Sequence, residues 1–341
     1  MKSSAICSRP STNTSLRFSV AIATFTFCLG CSGDELVEPV KRVKFDGKNG
    51  PKALIHINDR KELAIGGYDG NIRIWRLDGV TTAVLNARRG WVDCLTADPH
   101  GKWIAAGYRG DNSICVWDVQ KREITANLTG HQGTVWSLAF CGNAQTLISA
   151  SDDRTVRVWE VSKGTEVKRL TGHKGSIFRL AVSADGKRVV GGEDEIVIWN
   201  VESGKVMHRF KGHETGVFAI SFLGNSTLFA TGGGDGLIKI WDAETGKLQR
   251  VLEKHFGIVW QFDVSPDGRL LASSDEQGII AIDDLVAKKR LVHFRGHISA
   301  AVGLAFTSDG KKLVTVCHGH EVEEPPGPDG EIKVWKMKLP E

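Results

Sequence analysis

Between His131 and Asp153 the chain brings together histidine, serine and aspartate: His131, then Ser149 and Ser151, then Asp153. These are the residue types of acyl transfer, in which an imidazole takes the proton of a serine hydroxyl and a carboxylate orients the imidazole. The same types return with His213 and Asp235, and with His297 and Asp329; each set is followed by a tryptophan (Trp159, Trp241, Trp335), and His173 stands at a matching place. A catalytic constellation occurs once, whereas a set that recurs along a chain is scaffolding. A buried imidazole needs partners for both nitrogens, and a turn carboxylate or an indole N–H is buried only when bonded. The residues therefore predict a non-enzymatic protein.

A second group could ligate a metal. CHGHEVEEPPGPDG, from Cys317 to Gly330, carries His318, His320, Glu321, Glu323 and Glu324. These side chains suit a divalent ion, but no regular element presets their geometry. The expectation is an acidic, proline-rich solvated loop with no metal and no cofactor. The alternative is a metal or small-ligand site, or an enzyme, built on residues 317–330. Cys94, Cys115, Cys141 and Cys317 include no CxxC pair and are read as small apolar fillers.

The elements behind these residues follow from a repeat. GNIRIWRL, NSICVWDV, RTVRVWEV, EIVIWNV, GLIKIWDA, GIIAIDDL and EIKVWKM place Trp75, Trp117, Trp159, Trp199, Trp241, Asp283 and Trp335 at intervals of 42, 42, 40, 42, 42 and 52 residues. A glycine–histidine pair or a variant marks most copies, at His131, His173, His213, His255 and His297, and turn sequences such as SADGK and SPDGR lie between. Alternating apolar and polar residues between turns mean four short antiparallel strands per copy.

These motifs resemble the WD-repeat family over about Val40 to Leu339. The resemblance implies an all-β fold, a seven-bladed β-propeller of four-stranded antiparallel blades. It also implies that His131, Asp153 and Trp159, His173, His213, Asp235 and Trp241, and His297, Asp329 and Trp335 belong to structural hydrogen-bond networks. The first two copies have Gly47 and Arg89 near the histidine position, and the sixth has Gln277 and Asp283 for the turn aspartate and the tryptophan. That blade is expected to be the loosest unless Asp275 or Glu276 substitutes. The seventh copy ends without a fourth strand, and VKRVKF (Val40 to Phe45) is expected to supply it and close the ring.

In such a blade the GH loops and turn aspartates share one face, and the residue opening each first strand lies at its rim. Those positions are Lys52, Asp93, Trp136, Phe178, Phe218, Trp260 and Val302. Four successive aromatics in a chain with 8% aromatic residues describe a binding arc, and in the WD-repeat family this position contributes to the partner-binding top surface. The competing reading folds the rings down as packing. The expected partner is a protein or peptide held by a monomeric propeller within a complex.

Residues 1–30 place Lys2, Arg9 and Arg17 before the apolar run FSVAIATFTFCLG, the order of a secretory signal. CLGC resembles the lipobox of bacterial lipoproteins, which would make Cys31 a lipidated first residue, 31–39 a tether and 40–339 the propeller. The location implied is the bacterial cell envelope, lipid-anchored at Cys31; the alternative is a cytosolic regulatory scaffold. Net charge is +4, of which those three basic residues supply +3, leaving +1 from Ser32 onward. Such a balance excludes the basic footprint of a nucleic-acid binder.

Overall fold

The computed structural model describes residues 37–47, 50–57, 62–142, 144–317 and 330–338. Cys31, His318, His320, Glu321 and Asp329 lie outside the described residues, as does the signal-like segment 1–30.

The described residues form seven four-stranded antiparallel sheets, each a blade. Blades one to six each use four consecutive strands; blade three, for example, comprises Val135–Phe140, Thr146–Ser151, Val156–Glu160 and Thr165–Leu170. The first strands of neighbouring blades pack against one another around a complete circle, the seventh on the first. Hydrophobic clusters sit between blades rather than within them. Trp159 packs with Val135 and Leu138 of its own blade against Ile114, Val116 and Leu128 of blade two. Trp75, Trp117, Trp199 and Trp335 occupy the corresponding interfaces, and all are buried. The periodic tryptophan is thus the side chain by which each blade joins its predecessor, and fully burying one large apolar side chain is worth about 2–3 kcal/mol.

Blade six breaks this pattern. Asp283 takes the tryptophan's place, paired with Arg290 at 3.1 Å, and the buried hydrophobic cluster between blades five and six contains no tryptophan.

The seventh blade contains Ala301–Phe306, Lys312–Cys317 and Glu331–Met337, and its outer strand comes from the other end of the propeller segment. Val37–Lys44 pairs antiparallel with Glu331–Met337, from Val37 opposite Met337 to Lys44 opposite Glu331. An N-terminal strand thus completes this blade. It begins at Val37, three residues before the expected Val40, so the end of the expected tether is already strand. The register shifts between Pro39 and Lys41. Proline cannot donate to the ladder and is tolerated because this strand is the blade's edge.

Candidate partner-binding site

The recurrent histidines are fixed by local bonds. In blade three, His131 Nδ1 lies 2.7 Å from Asp153 and Nε2 2.7 Å from Ser149 Oγ, which also accepts the Trp159 indole N–H at 2.8 Å. Asp153 is an acceptor, so Nδ1–H donates to it and the serine hydroxyl donates to Nε2. Burial would raise the Asp153 carboxyl, yet hydrogen bonds from His131, Thr155 and the Gln132 N–H hold it far below the usual range. Burial lowers His131. Blade five repeats the chain with His213, Asp235, Thr231 and Trp241 at 2.8–2.9 Å. The Ser149 or Thr231 hydroxyl is committed to histidine and tryptophan, and both residues are fully buried.

Other blades modify the scheme. In blade four the hydroxyl position is Gly191, so His173 bonds the carbonyls of Gly175 (2.9 Å) and Glu195 (3.2 Å), and Trp199 donates to the Thr171 carbonyl. In blade six Asp275 meets His255 Nδ1 at 3.1 Å and also accepts the N–H groups of Gln277 and Ile279. In blade seven His297 and Trp335 share Thr315. His297, Cys317 and Glu331 have ligand atoms within 4.8 Å of one another. Lys333 lies 2.9 Å from Glu331, however, so that carboxylate already has a counter-charge. Blades one and two lack the histidine: blade one has Gly47 there, and its Asp69 pairs with Arg73 of the third strand, whereas in blade two Arg89 takes the position and bonds Asp111 and Ser113.

The seven rim residues have one further feature in common. In six blades the first strand skips one residue against its partner strand, and the skipped residues are Lys52, Asp93, Trp136, Phe218, Trp260 and Val302. Phe178 immediately precedes the paired residues of the seventh such strand, which begins at Arg179. An unpaired bulge residue re-aims its side chain. All seven accordingly line one cavity of about 310 Å³ at the head of the central channel, together with Tyr68 and Arg179.

Its wall is built from ring pairs. Trp136 and Phe178 meet edge to face with centroids 5.2 Å apart, and Phe218 and Trp260 do so at 5.3 Å. Edge-to-face pairs contribute about 0.5–1.5 kcal/mol beyond burial, so the rings brace one another while remaining half-buried. Trp136 also donates its indole N–H to Asp152 at 2.6 Å. On the opposite wall Asp93 is buried between Lys52 and Arg109, with Arg109 Nε at 3.0 Å. Burial pulls the Lys52 ammonium below its ordinary range, against the opposing effect of Asp93. Arg109 lies 4.9 Å from the Trp136 centroid and 5.1 Å from that of Trp91. Tyr68, Trp91, Arg109 and Arg179 are additions that reading one strand position at a time did not find. Phe256 (78% exposed) and Ile298 (61%) project from the GH loops on the same face. Their signal was an apolar residue after a loop histidine.

A family model for the WD domain, G-beta repeat, matches residues 79–118, 122–160, 164–200, 204–242, 246–282 and 288–336. The chain belongs to the WD-repeat family. Its relatives include a periodic tryptophan protein 2 homolog of Neurospora crassa, 43% identical over 18% of this chain and 7% of the relative. A U5 small nuclear ribonucleoprotein 40 kDa protein of Pongo abelii is 45% identical over 16% of this chain and 15% of its own length. Pre-mRNA-splicing factor PRP46 of Eremothecium gossypii is 30% identical over 32% and 27%. The matched stretches thus span about a quarter or less of these relatives. Such relatives, all eukaryotic and two named for splicing or a nuclear ribonucleoprotein, overturn the bacterial cell-envelope location expected from residues 1–31. A basic, then apolar, then small-residue order is a compositional pattern that specifies neither a lineage nor a compartment. Among the described residues no helix is long and apolar enough to cross a membrane.

Proposed function

We propose that this WD-repeat protein is a non-enzymatic interaction scaffold of the intracellular regulatory kind, and that a partner protein or peptide docks in the cavity at the head of the channel. The observation that carries this reading is the convergence of all seven rim residues, six of them bulged, on one cavity whose aromatic wall is half-exposed. A ring needed only for packing has no use for a bulge that turns it toward the channel mouth. Half-buried aromatics with fixed geometry are the composition of an interface hot spot, and the blades supply rigidity, so little ordering cost falls on the propeller when it binds. The matched relatives with splicing names are consistent with a member that works inside assemblies.

Replacing Trp136, Phe218 and Trp260 together with serine tests this. The variant is expected to unfold cooperatively, with native circular dichroism, and to lose a partner that the unaltered protein retains in affinity capture. Retention of that same partner by the folded variant would refute the site.

A further inference from the structure

We infer that the cavity receives a glutamate side chain of the partner, with Arg179 holding its carboxylate; this rests on the cavity being the docking point.

Arg179 is an exception within the ring. It follows the rim residue of blade four, and its counterparts are Ala53, Cys94, Ser137, Ala219, Gln261 and Gly303, none of them charged. Its side chain lines both the aromatic cavity and the narrower channel beneath. One terminal nitrogen donates to the Phe178 carbonyl at 3.1 Å, and Nε is buried with no partner. No carboxylate among the described residues pairs with this guanidinium. The nearby acids have other partners: Asp93 is held by Lys52 and Arg109, and Asp152 accepts from Trp136. A guanidinium keeps its proton, so the folded protein holds a cation in a largely desolvated wall without its counter-charge. An arrangement of this sort costs stability by itself and is complementary to an incoming anion.

The surroundings narrow the class of anion. Four aromatic rings line the cavity with Arg179, whereas the Lys52 ammonium on the other wall already meets Asp93; one uncompensated cation among rings suits a ligand with an apolar stem and a single terminal charge. Glutamate has that form, its methylenes against the rings and its carboxylate bidentate on the guanidinium. A chain terminus would instead carry backbone amides down between the rings. There the Trp136 N–H is already bonded to Asp152, which leaves the buried Trp260 N–H as a single donor against the several polar groups of a backbone. A side chain leaves its main chain at the wet rim.

Ligand-observed NMR titration of the full chain with capped Ac-Leu-Glu-Leu-NH2 and Ac-Leu-Gln-Leu-NH2 tests the assignment. The glutamate peptide is expected to bind at least tenfold more tightly, and Arg179→Gln is expected to abolish that preference while melting no lower than the unaltered protein. Because no ion pair is lost, Arg179→Met supplies a second folded variant with the same expected outcome. Equal binding of both peptides, lost in the triple serine variant, would overturn the role of Arg179 and leave the docking reading intact. No binding of either peptide at millimolar concentration would overturn both. Tighter binding of Ac-Leu-Leu-Leu-OH than of the glutamate peptide would assign the site to a chain terminus and overturn this proposal.

Discussion

Thr231→Val isolates the chemistry of one repeated network. Valine has the shape of threonine, so the change removes a hydroxyl without opening a cavity. Thr231 is fully buried, and its Oγ1 is 2.8 Å from both His213 Nε2 and the Trp241 indole nitrogen. Asp235 keeps the other imidazole nitrogen protonated, so the ring cannot change tautomer to compensate. Two buried polar atoms are left without partners, at about 1–3 kcal/mol each, offset by the hydroxyl no longer needing satisfaction. The expected loss is about 2–4 kcal/mol, or on the order of 3–6 °C in melting temperature for a propeller of this size. Blade six supplies the control. Ser273 meets His255 at 2.8 Å, but Asp283 stands where the tryptophan would be, so Ser273→Ala orphans one atom. Its expected loss is about 1–2 kcal/mol. Urea unfolding followed by circular dichroism, with unchanged denaturant slope, measures both. Equal losses, or a loss below about 1 kcal/mol for Thr231→Val, would refute the account of the network.

Two further predictions concern pH. Burial lowers His131, His213 and His297 below the ordinary histidine value, despite the opposing pull of Asp153, Asp235 and Glu331. Below about pH 6.5 the unfolded chain takes up protons that the folded one refuses, so these histidines make stability fall as pH drops from 7 to 5, by up to about 1.4 kcal/mol per unit per histidine; a flat melting temperature over that range in Asp263→Asn, which lacks the opposing titration of Asp263, would contradict this. Asp263 works in the opposite sense. Burial in the lower channel pushes it up to about 7, against hydrogen bonds from the Phe306 and Val264 N–H groups. The folded state therefore holds an extra proton between about pH 4 and 7, and stability is lost as pH rises through that window. Asp263→Asn keeps an acceptor for the Phe306 N–H and should stabilise the protein at pH 8 by about 1–3 kcal/mol, allowing for channel water. Differential scanning calorimetry at pH 5 and pH 8 checks the sign, and destabilisation at pH 8 would sink it.

The repeat, the blades and the closing strand could be read from the spacing of Trp75 to Trp335 because each tryptophan fills one inter-blade interface, and identical interfaces demand identical side chains. The rim could be located for the same reason. What could not be read was the bulge, since skipping one residue changes hydrogen-bond pairing without changing composition. Arg179 was hidden for a separate reason: by simple alternation Phe178 and Arg179 would point to opposite sides, whereas both reach the cavity. His173 was legible as a loop histidine, but its rewiring follows from Gly191, a residue notable only for lacking a hydroxyl. The location was misread because an order of charge and apolarity, such as residues 1–31 carry, specifies neither lineage nor compartment.

The seventh blade also bears on how the ring assembles. Six blades pair strands that are neighbours in the chain, whereas Val37 and Met337 are 300 positions apart when they meet. Bringing distant segments together pays loop-closure entropy before any contact rewards it, so blade seven is expected to form last during folding. It is then the natural seam at which the circle first opens under stress, with Glu38–Lys338 as its outermost fastening.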